Sequence, residues 1–437
     1  MKKLYTFIFA CFLMIGMNPA EAQITGKPEF GKFAIMDATI HTVTNGVIEG
    51  GIILIENDKI TFVGQNVKIA DGFTIIDASG KHVYPGFIDS WTSLGLVEVS
   101  AVAVTVDDAE LGQFNPHMSA ATAFNPHSAA IPVTRVSGVT TVLSKPRSGS
   151  ISGKAAVMDL WGYSPDSMAV KKNAALVMSL PVSTKRGPWD SRDEDKIKEE
   201  YEKAIKELDD FLDKARFYNE MMNAFSANSN GKKQPDYDPR MEAMREVVTG
   251  EIPVIVQVSN EKEILNAIEW TKVQEDMRFV FAGVSEGWRV AEELAEAGIP
   301  VLVGTLQTPS RQYDNYQRPY QNPGIMAAAG VKVAIGTGDT ENVRNAPFHA
   351  GYAATYGMGT EEALKAITIN AAEIFGVDDK IGSLEAGKLA NLFISDGDPF
   401  EPLSQIEHVF IKGKKIPMAS RHTQLYEEFL DRDAVNK

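Results

Sequence analysis

The side chains best placed for chemistry begin with an aspartate that follows an apolar run typical of a buried strand. Asp339 comes directly after residues 331–335 and the turn Gly336-Thr337-Gly338. A carboxylate there can act as a base or a metal ligand, or it can cap the following turn. Arg344, a few residues further on, can hold a carboxylate through two parallel hydrogen bonds. The alternative for Arg344 is a salt bridge at the rim of the domain.

Histidines supply the second set of candidates. The sequence Phe-Asn-Pro-His occurs twice and ends at His117 and at His127. Two histidines on neighbouring loops can bind a metal or act as acid and base. The alternative is that each Asn-Pro pair starts a turn and leaves its histidine exposed. His349 is a weaker candidate, and the remaining histidines are expected to be structural: His41, His82, His408 and His422.

The elements that must position these residues follow from the pattern of apolar runs. Short β-branched runs separated by turns from Phe33 to Ile76 predict antiparallel strands, with Asn57 and Asp58 in a turn. After Pro85, continuous apolar runs alternate with helical periods, which predicts a parallel sheet covered by helices. The runs are 138–143, 174–178, 253–258, 278–282, 300–303 and 331–335.

This succession predicts a (β/α)8 TIM-like barrel with a small β-sandwich domain formed by the N- and C-terminal segments. The predicted domains are a β domain at 23–83 and 385–437, which includes a C-terminal tail, and a barrel at 84–384. Two regions interrupt the barrel rhythm. Residues near 190–235 predict a helical insertion with a charged, solvated face, or alternatively a partner surface. Residues 144–154 are basic and rich in Gly and Ser, and they predict a flexible loop or alternatively an anion-recognition loop.

Four segments of the chain resemble the amidohydrolase superfamily, in particular its imidazolonepropionase-like members. They are residues 76–89, which include Pro85-Gly86-Phe87-Ile88-Asp89, then 336–339, 363–372 and 381–392. The resemblance implies hydrolysis of carbon–nitrogen bonds in small cyclic or linear amides by water bound to a zinc-like divalent metal. It also implies an HxH pair after strand one, a lysine or carboxylate on strand four, histidines on strands five and six, and an aspartate after strand eight.

Most of the ligand positions that the resemblance implies hold other residue types. The HxH pair falls on Trp91 and Ser93, and Gln257 stands at the strand-five position. The strand-six segment 281–286 contains no histidine, so Asp339 is the one surviving ligand candidate. An indole has no lone pair for a cation, and a neutral serine is a weak zinc ligand. The cofactor is therefore unknown from the sequence.

The N-terminal residues and the net charge indicate where the protein is expected to reside and which partners are unfavourable. Lys2 and Lys3, the apolar residues 4–17 and the small residues Ala20 and Ala22 are typical of a signal peptide spanning 1–22, so export to the periplasm or beyond is expected. The apolar run is shorter than the roughly 20 residues of a membrane span. The sole cysteine, Cys11, lies within it. A formal net charge of −15 argues against nucleic-acid binding.

Two hypotheses remain open from the sequence. In the first, the chain is a hydrolase in which Asp339 acts with ligands from His117, His127 or a partner chain. In the second, it is a catalytically silent barrel, a pseudoenzyme candidate that binds a small molecule or pairs with an active homologue. A homo-oligomer or a hetero-oligomer with a related amidohydrolase fits either hypothesis.

Overall fold

Apolar and β-branched runs at both ends of the chain form one eight-stranded sheet. The computed structural model describes residues 26–185, 187, 189–231, 233–304, 315–430 and 432. The predicted signal peptide and Cys11 lie outside these residues. The strands are β1 (Lys32–His41), β2 (Val47–Glu56), β3 (Lys59–Gly64), β4 (Phe73–Asp77), β5 (His82–Pro85), β14 (Leu392–Ser395), β15 (Ile406–Ile411) and β16 (Lys414–Ile416).

The order of this sheet is β16-β15-β14-β5-β1-β2-β3, and β4 pairs in parallel with β1. The antiparallel pairing of β14 with β5 joins the two ends of the chain. Asn57 takes a positive φ of 57° in the predicted turn between β2 and β3. Phe33, Ile53 and Phe410 are fully buried in the core of this β domain. A β domain built from both ends of the chain is thus confirmed.

The intervening residues form a second eight-stranded sheet, which curls into a nearly closed barrel. Its strands are β6 (Phe87–Thr92), β7 (Val139–Ser144), β8 (Ile151–Asp159), β9 (Ala169–Ser179), β10 (Val254–Val258), β11 (Phe279–Gly283), β12 (Val301–Val303) and β13 (Val333–Ile335). They neighbour one another in chain order. Apolar side chains from all eight strands fill the interior, as expected for a barrel core rather than a pore.

The barrel is sealed where its first and last strands meet. The Gly338 N–H donates to the Trp91 carbonyl at 2.9 Å. A side chain at Gly336 would place its Cβ 2.6 Å from the Trp91 nitrogen, so only glycine permits this close approach. The (β/α)8-type barrel is confirmed, with one departure from an all-parallel arrangement.

That departure is β8, which runs antiparallel to both β7 and β9. The prediction of a flexible loop over 144–154 is wrong from Ile151 onward, because β8 begins there. Residues 145–150 are too few for the crossover of a dozen or more residues that a parallel neighbour requires. The segment therefore turns back as a hairpin.

Helices cover the barrel, and some of them are capped by side chains. They are α1 (Ala120–Ala123), α2 (Ala130–Arg135), α3 (Pro165–Met168), α4 (Glu194–Ala227), α5 (Pro239–Val248), α6 (Glu261–Thr271), α7 (Ala291–Glu296), α8 (Arg318–Ala328), α9 (Ala346–Ala353), α10 (Thr360–Ala366), α11 (Ile369–Phe375) and α12 (Arg421–Leu430). Asp193, Asp238 and Asn260 accept N–H groups from the first turns of α4, α5 and α6. The long helix α4 falls within the predicted insertion and packs on α5 through buried residues such as Phe211. None of these helices within the described residues is long and apolar enough to cross a membrane.

A buried polar network fixes the β domain to the barrel. Asp159, at the end of β8, is fully buried and accepts hydrogen bonds from Thr141 at 2.9 Å and from Asn391 at 2.8 Å. The Lys412 ammonium lies 3.3 Å from the second oxygen of Asp159. Burial raises the pKa of Asp159, and Lys412, Thr141 and Asn391 oppose that rise. The contact joins β7 and β8 of the barrel to β14 and the turn after β15.

Candidate functional site

The carboxyl ends of the parallel barrel strands define one mouth, and Trp91 lies at its first strand. The indole is 8% exposed and belongs to the apolar interior of the barrel. The Lys145 ammonium, which follows β7, lies 4.7 Å from the centre of the Trp91 ring. Burial lowers the pKa of Lys145, and nearby Asp108 opposes the shift. A lysine cation packed on an aromatic face therefore occupies the strand-one end of the mouth.

Ser93 is turned toward the backbone of the next strand end. Its hydroxyl donates to the Lys145 carbonyl at 3.3 Å, and the Lys145 N–H donates to the Thr92 carbonyl at 2.9 Å. These bonds tie the residues after β6 to those after β7. Both residues at the expected HxH positions thus take part in packing and in local hydrogen bonds.

Asp339 lies at the same mouth, after β13, where its carboxylate organises the following turn. One oxygen accepts the N–H groups of Thr340, Glu341 and Asn342 at 2.6, 2.9 and 3.1 Å. The other oxygen accepts the Asn342 side-chain amide at 3.0 Å. Burial alone would raise the pKa of Asp339, but these hydrogen bonds outweigh it and hold the pKa below the usual value.

His349, on α9, is 2% exposed and lies close enough to Asp339 for their charges to interact. Burial lowers the pKa of His349 to about 4, although the charge of Asp339 opposes the shift. At neutral pH Asp339 is therefore an anionic carboxylate and His349 an uncharged imidazole. Arg344 donates to the Glu341 carbonyl at 2.8 Å, so it too braces this turn.

The two Phe-Asn-Pro-His motifs form turns on the outside of the barrel. His117 and His127 are both exposed. The His127 N–H donates to the Asn125 side chain at 3.0 Å, a bond typical of an Asx turn. The backbone around Asn115 bonds to Ile151 at the start of β8. A catalytic or metal-binding role for His117, His127, Asp339 or Arg344 stays a prediction.

A small cavity with both polar and apolar walls opens at the carboxyl ends of β9 and β10. It has a volume of about 180 Å³. Gln257 lines it and is paired in register with Ser179 on the neighbouring strand. The Gln257 side-chain amide forms no hydrogen bond with any residue in the described ranges. Sequence reasoning identified Gln257 through the strand-five position, whereas Ser179 was missed because the strand pattern gives a serine at its end no special weight.

The remaining polar walls of this cavity are held in place by hydrogen bonds. The Asn266 amide donates to Ser183 at 2.9 Å. Glu263 accepts the Ser259 N–H at 3.2 Å. Tyr201 also lines the cavity, and burial raises the pKa of its hydroxyl. The hydroxyl therefore stays protonated and can donate. The walls thus combine amide and hydroxyl groups with one carboxylate, and these groups can hydrogen-bond a small polar ligand.

The donor set at this mouth does not fit the divalent metal that the resemblance implies. A catalytic zinc site needs about three protein donors that carry lone pairs. The strand-one position instead presents an indole covered by the Lys145 cation. Across the described ranges, no group of three or more His, Cys, Asp or Glu side chains is placed to hold a metal ion.

A buried carboxyl group beneath the mouth was not assigned a role from the sequence. Asp89, in β6, is fully buried and accepts the Thr337 hydroxyl at 2.6 Å and the N–H groups of Thr337 and Trp91 at 3.1 and 3.0 Å. Burial raises its pKa to about 7, and those hydrogen bonds limit the rise. The signal in the sequence was an aspartate directly after Phe87 and Ile88 in a predicted strand. A carboxyl group that is buried in this way needs several hydrogen-bond partners.

The barrel carries polar residues at the carboxyl ends of its strands, and a β domain built from both chain ends flanks it. Together these two features define the class of barrel protein to which the chain belongs. Residues 69–416 match the Amidohydrolase family, and the chain belongs to that family. Among solved structures it is similar to an amidohydrolase from Thermotoga maritima MSB8, with 27% identity and a TM-score of 0.77, over 88% of this chain and 99% of that one.

Similarity to curated proteins is confined to shorter segments. An imidazolonepropionase from Syntrophobacter fumaroxidans is 36% identical over 108 residues, which is 24% of this chain and 24% of that protein. An imidazolonepropionase from Shouchella clausii is 36% identical over 119 residues, or 26% of this chain and 25% of that protein. The chain thus matches about a quarter of the length of these relatives.

Proposed function

We propose that this chain is a ligand-binding member of the family, which holds a small neutral amide in the cavity at the ends of β9 and β10. The observation that carries the proposal is the Gln257 side-chain amide, which lines that cavity and has no hydrogen-bond partner among the described residues. A carboxamide both donates and accepts, so it complements a second amide through two hydrogen bonds. The 180 Å³ volume is below the roughly 300–1,000 Å³ of typical ligand pockets, which favours small cyclic amides.

Binding of small lactams tests this proposal. Isothermal titration calorimetry with 2-pyrrolidone, hydantoin and dihydrouracil is expected to detect at least one ligand. Gln257→Leu removes both hydrogen-bonding groups at nearly constant volume, and we expect it to weaken binding by about tenfold or more. The matched control is Gln65→Leu, at an exposed position in the β domain. Equal affinity in Gln257→Leu, or no binding by any of the three lactams, would show that this cavity is not the site.

Hydrolysis of carbon–nitrogen bonds is the second candidate function, and the Asp339–His349 pair favours it. The low pKa of Asp339 keeps a carboxylate at the position where the resemblance places the proton acceptor. An uncharged imidazole lies beside it. Because that carboxylate is already engaged by the following turn, we rank hydrolysis below ligand binding.

Metal content separates the two functions. If the chain binds without metal chemistry, the purified protein is expected to hold less than about a tenth of an equivalent of zinc, nickel, iron or manganese. Panels of amides, lactams and dipeptides should then remain intact after metal addition. Near-stoichiometric metal that is lost in Asp339→Asn, together with turnover, would instead establish the hydrolase. Asparagine keeps the oxygen that accepts the turn N–H groups, so the variant separates charge from folding. Export of the protein and its pairing with a related barrel stay predictions, whichever of the two functions holds.

A further inference from the structure

A second cavity lies between the β domain and the barrel helices, away from the mouth. Its volume is about 660 Å³, within the range of small-molecule sites. His41 and Tyr84 line it from the β domain, and α10 and α11 line it from the barrel. Tyr84 precedes β6, so this interdomain cleft is at the amino ends of the strands. It is therefore separate from the cavity that contains Gln257.

The aromatic surface of the interdomain cleft is built from stacked rings. The His41 ring stacks on Tyr84 with centroids 4.2 Å apart and planes 10° apart. His41 Nε2 lies 3.1 Å from His82 Nδ1. Tyr84 is 6% exposed, yet its hydroxyl has no hydrogen-bond partner in the described part of the chain. A buried phenol that opens on a cavity without a partner points to a ligand that supplies one.

The charge in the interdomain cleft is negative. Burial and the neighbouring His82 lower the pKa of His41 to about 4, so the ring is uncharged at neutral pH. Glu361 is paired with Lys365 at 3.0 Å, and Glu373 with Lys332 at 2.6 Å. Lys365 also bonds Glu362, so its charge is fully engaged.

Asp398 differs from these carboxylates because it has no cation partner among the described residues. One of its oxygens accepts the Phe400 N–H at 2.9 Å. Its charge acts on both His41 and Tyr84, which places it beside the stacked rings. An exposed carboxylate without a cation partner attracts ammonium groups and accepts their hydrogen bonds.

Backbone strain marks the rim of the interdomain cleft. Val43 lines it with a φ of +75°, which a β-branched residue rarely adopts. Val47 lines the same rim and is 55% exposed. Strained positions of this kind concentrate at ligand clamps. The side chains of Val43 and Val47 offer apolar contacts at this rim.

We propose that the interdomain cleft binds a small organic cation with an aromatic or apolar body. The ammonium group donates to Asp398 and to the Tyr84 hydroxyl, and the body lies against Val43 and Val47. Both oxygens accept from the same ammonium group, so charge and hydrogen bonding act together. A neutral or anionic analogue of the same shape lacks the attraction to the carboxylate.

Calorimetric titration of the full-length protein with 2-phenylethylamine tests the role of charge. We expect millimolar or tighter binding, with 2-phenylethanol and 3-phenylpropionate weaker by about tenfold or more. Equal binding of the alcohol or the acid overturns the proposal, as does the absence of amine binding. Gln257→Leu should leave amine binding unchanged, so failure here and failure of the lactam site are separate results.

Asp398→Asn tests the assigned residue. Asparagine keeps an oxygen for the Phe400 N–H, so the loop is preserved while the charge is lost. We expect amine binding to weaken by about tenfold. Asp396→Asn removes a nearby exposed carboxylate outside the lining and should change affinity by less than about twofold. An equal effect of the two variants means general attraction to an acidic protein and rejects the site. An unaltered affinity in Asp398→Asn rejects it as well.

Discussion

Replacing Asp89 with alanine is expected to lower the free energy of unfolding by about 4 kcal/mol at pH 5. The side chain is fully buried and accepts from the Thr337 hydroxyl and from the N–H groups of Thr337 and Trp91. Alanine removes the acceptor of these three hydrogen bonds at the seam between the first and last barrel strands. At pH 5 the buried carboxyl is protonated, since its pKa is about 7, and no charge is relieved by its removal. Urea unfolding followed by circular dichroism measures the loss.

Asp89→Asn is the matched variant, and it also isolates the pH dependence. The folded-state pKa of about 7 lies above the ordinary 3.8 of an aspartate. The stability that this carboxyl contributes is therefore complete below about pH 4 and is lost as the pH rises to 7, by up to about 4 kcal/mol. Asparagine cannot ionise, so its pH profile should be flatter by that amount. A loss below about 1 kcal/mol in Asp89→Ala, or parallel profiles for wild type and Asp89→Asn, would contradict this account.

Lys412→Met is expected to destabilise the protein by about 3 kcal/mol at pH 7. The ammonium lies 3.3 Å from Asp159, which is fully buried, and it also donates to the Ser167 carbonyl at 2.8 Å. Methionine preserves the unbranched stem at a residue with a φ of +48°. The change therefore removes the charge and leaves the buried carboxylate with neutral donors only. Thermal and urea unfolding measure the difference.

Two further variants show whether charge is the cause. Asp159→Asn added to Lys412→Met should recover more than half of the lost stability, because no unpaired charge remains. Lys68→Met, at an exposed lysine, should stay within about 0.5 kcal/mol of wild type. A double variant as unstable as Lys412→Met alone would assign the loss to packing.

Local patterns predicted most of the fold because each barrel strand is a continuous apolar run. The prediction failed at β8, where Gly149 and Gly153 suggested a loop. Connection length was the better guide, since residues 145–150 allow only a hairpin. Residues 360–375 form two helices, α10 and α11, instead of one, because Thr368 leaves helical geometry and donates to the Leu364 carbonyl at 2.5 Å.

The candidate site was harder to predict because its contacts join distant parts of the chain. Gln257 and Asp339 could be found from their places at strand ends. The meeting of Lys145 with Trp91 depends on two strand ends that become neighbours only when the barrel forms. Neither periodicity nor motif spacing encodes such a pair. The same holds for Asp89 and Thr337, which lie at opposite ends of the barrel sequence.

The antiparallel β8 also bears on the order in which the barrel assembles. Strands β7, β8 and β9 are joined by short antiparallel connections. The parallel strands on either side also pair in chain order, but each pair is separated by a long crossover in the sequence. Hairpins close over short loops, so their entropy cost is low and their formation is rapid. Residues 139–179 can thus act as a template on which the slower parallel strands are added in sequence.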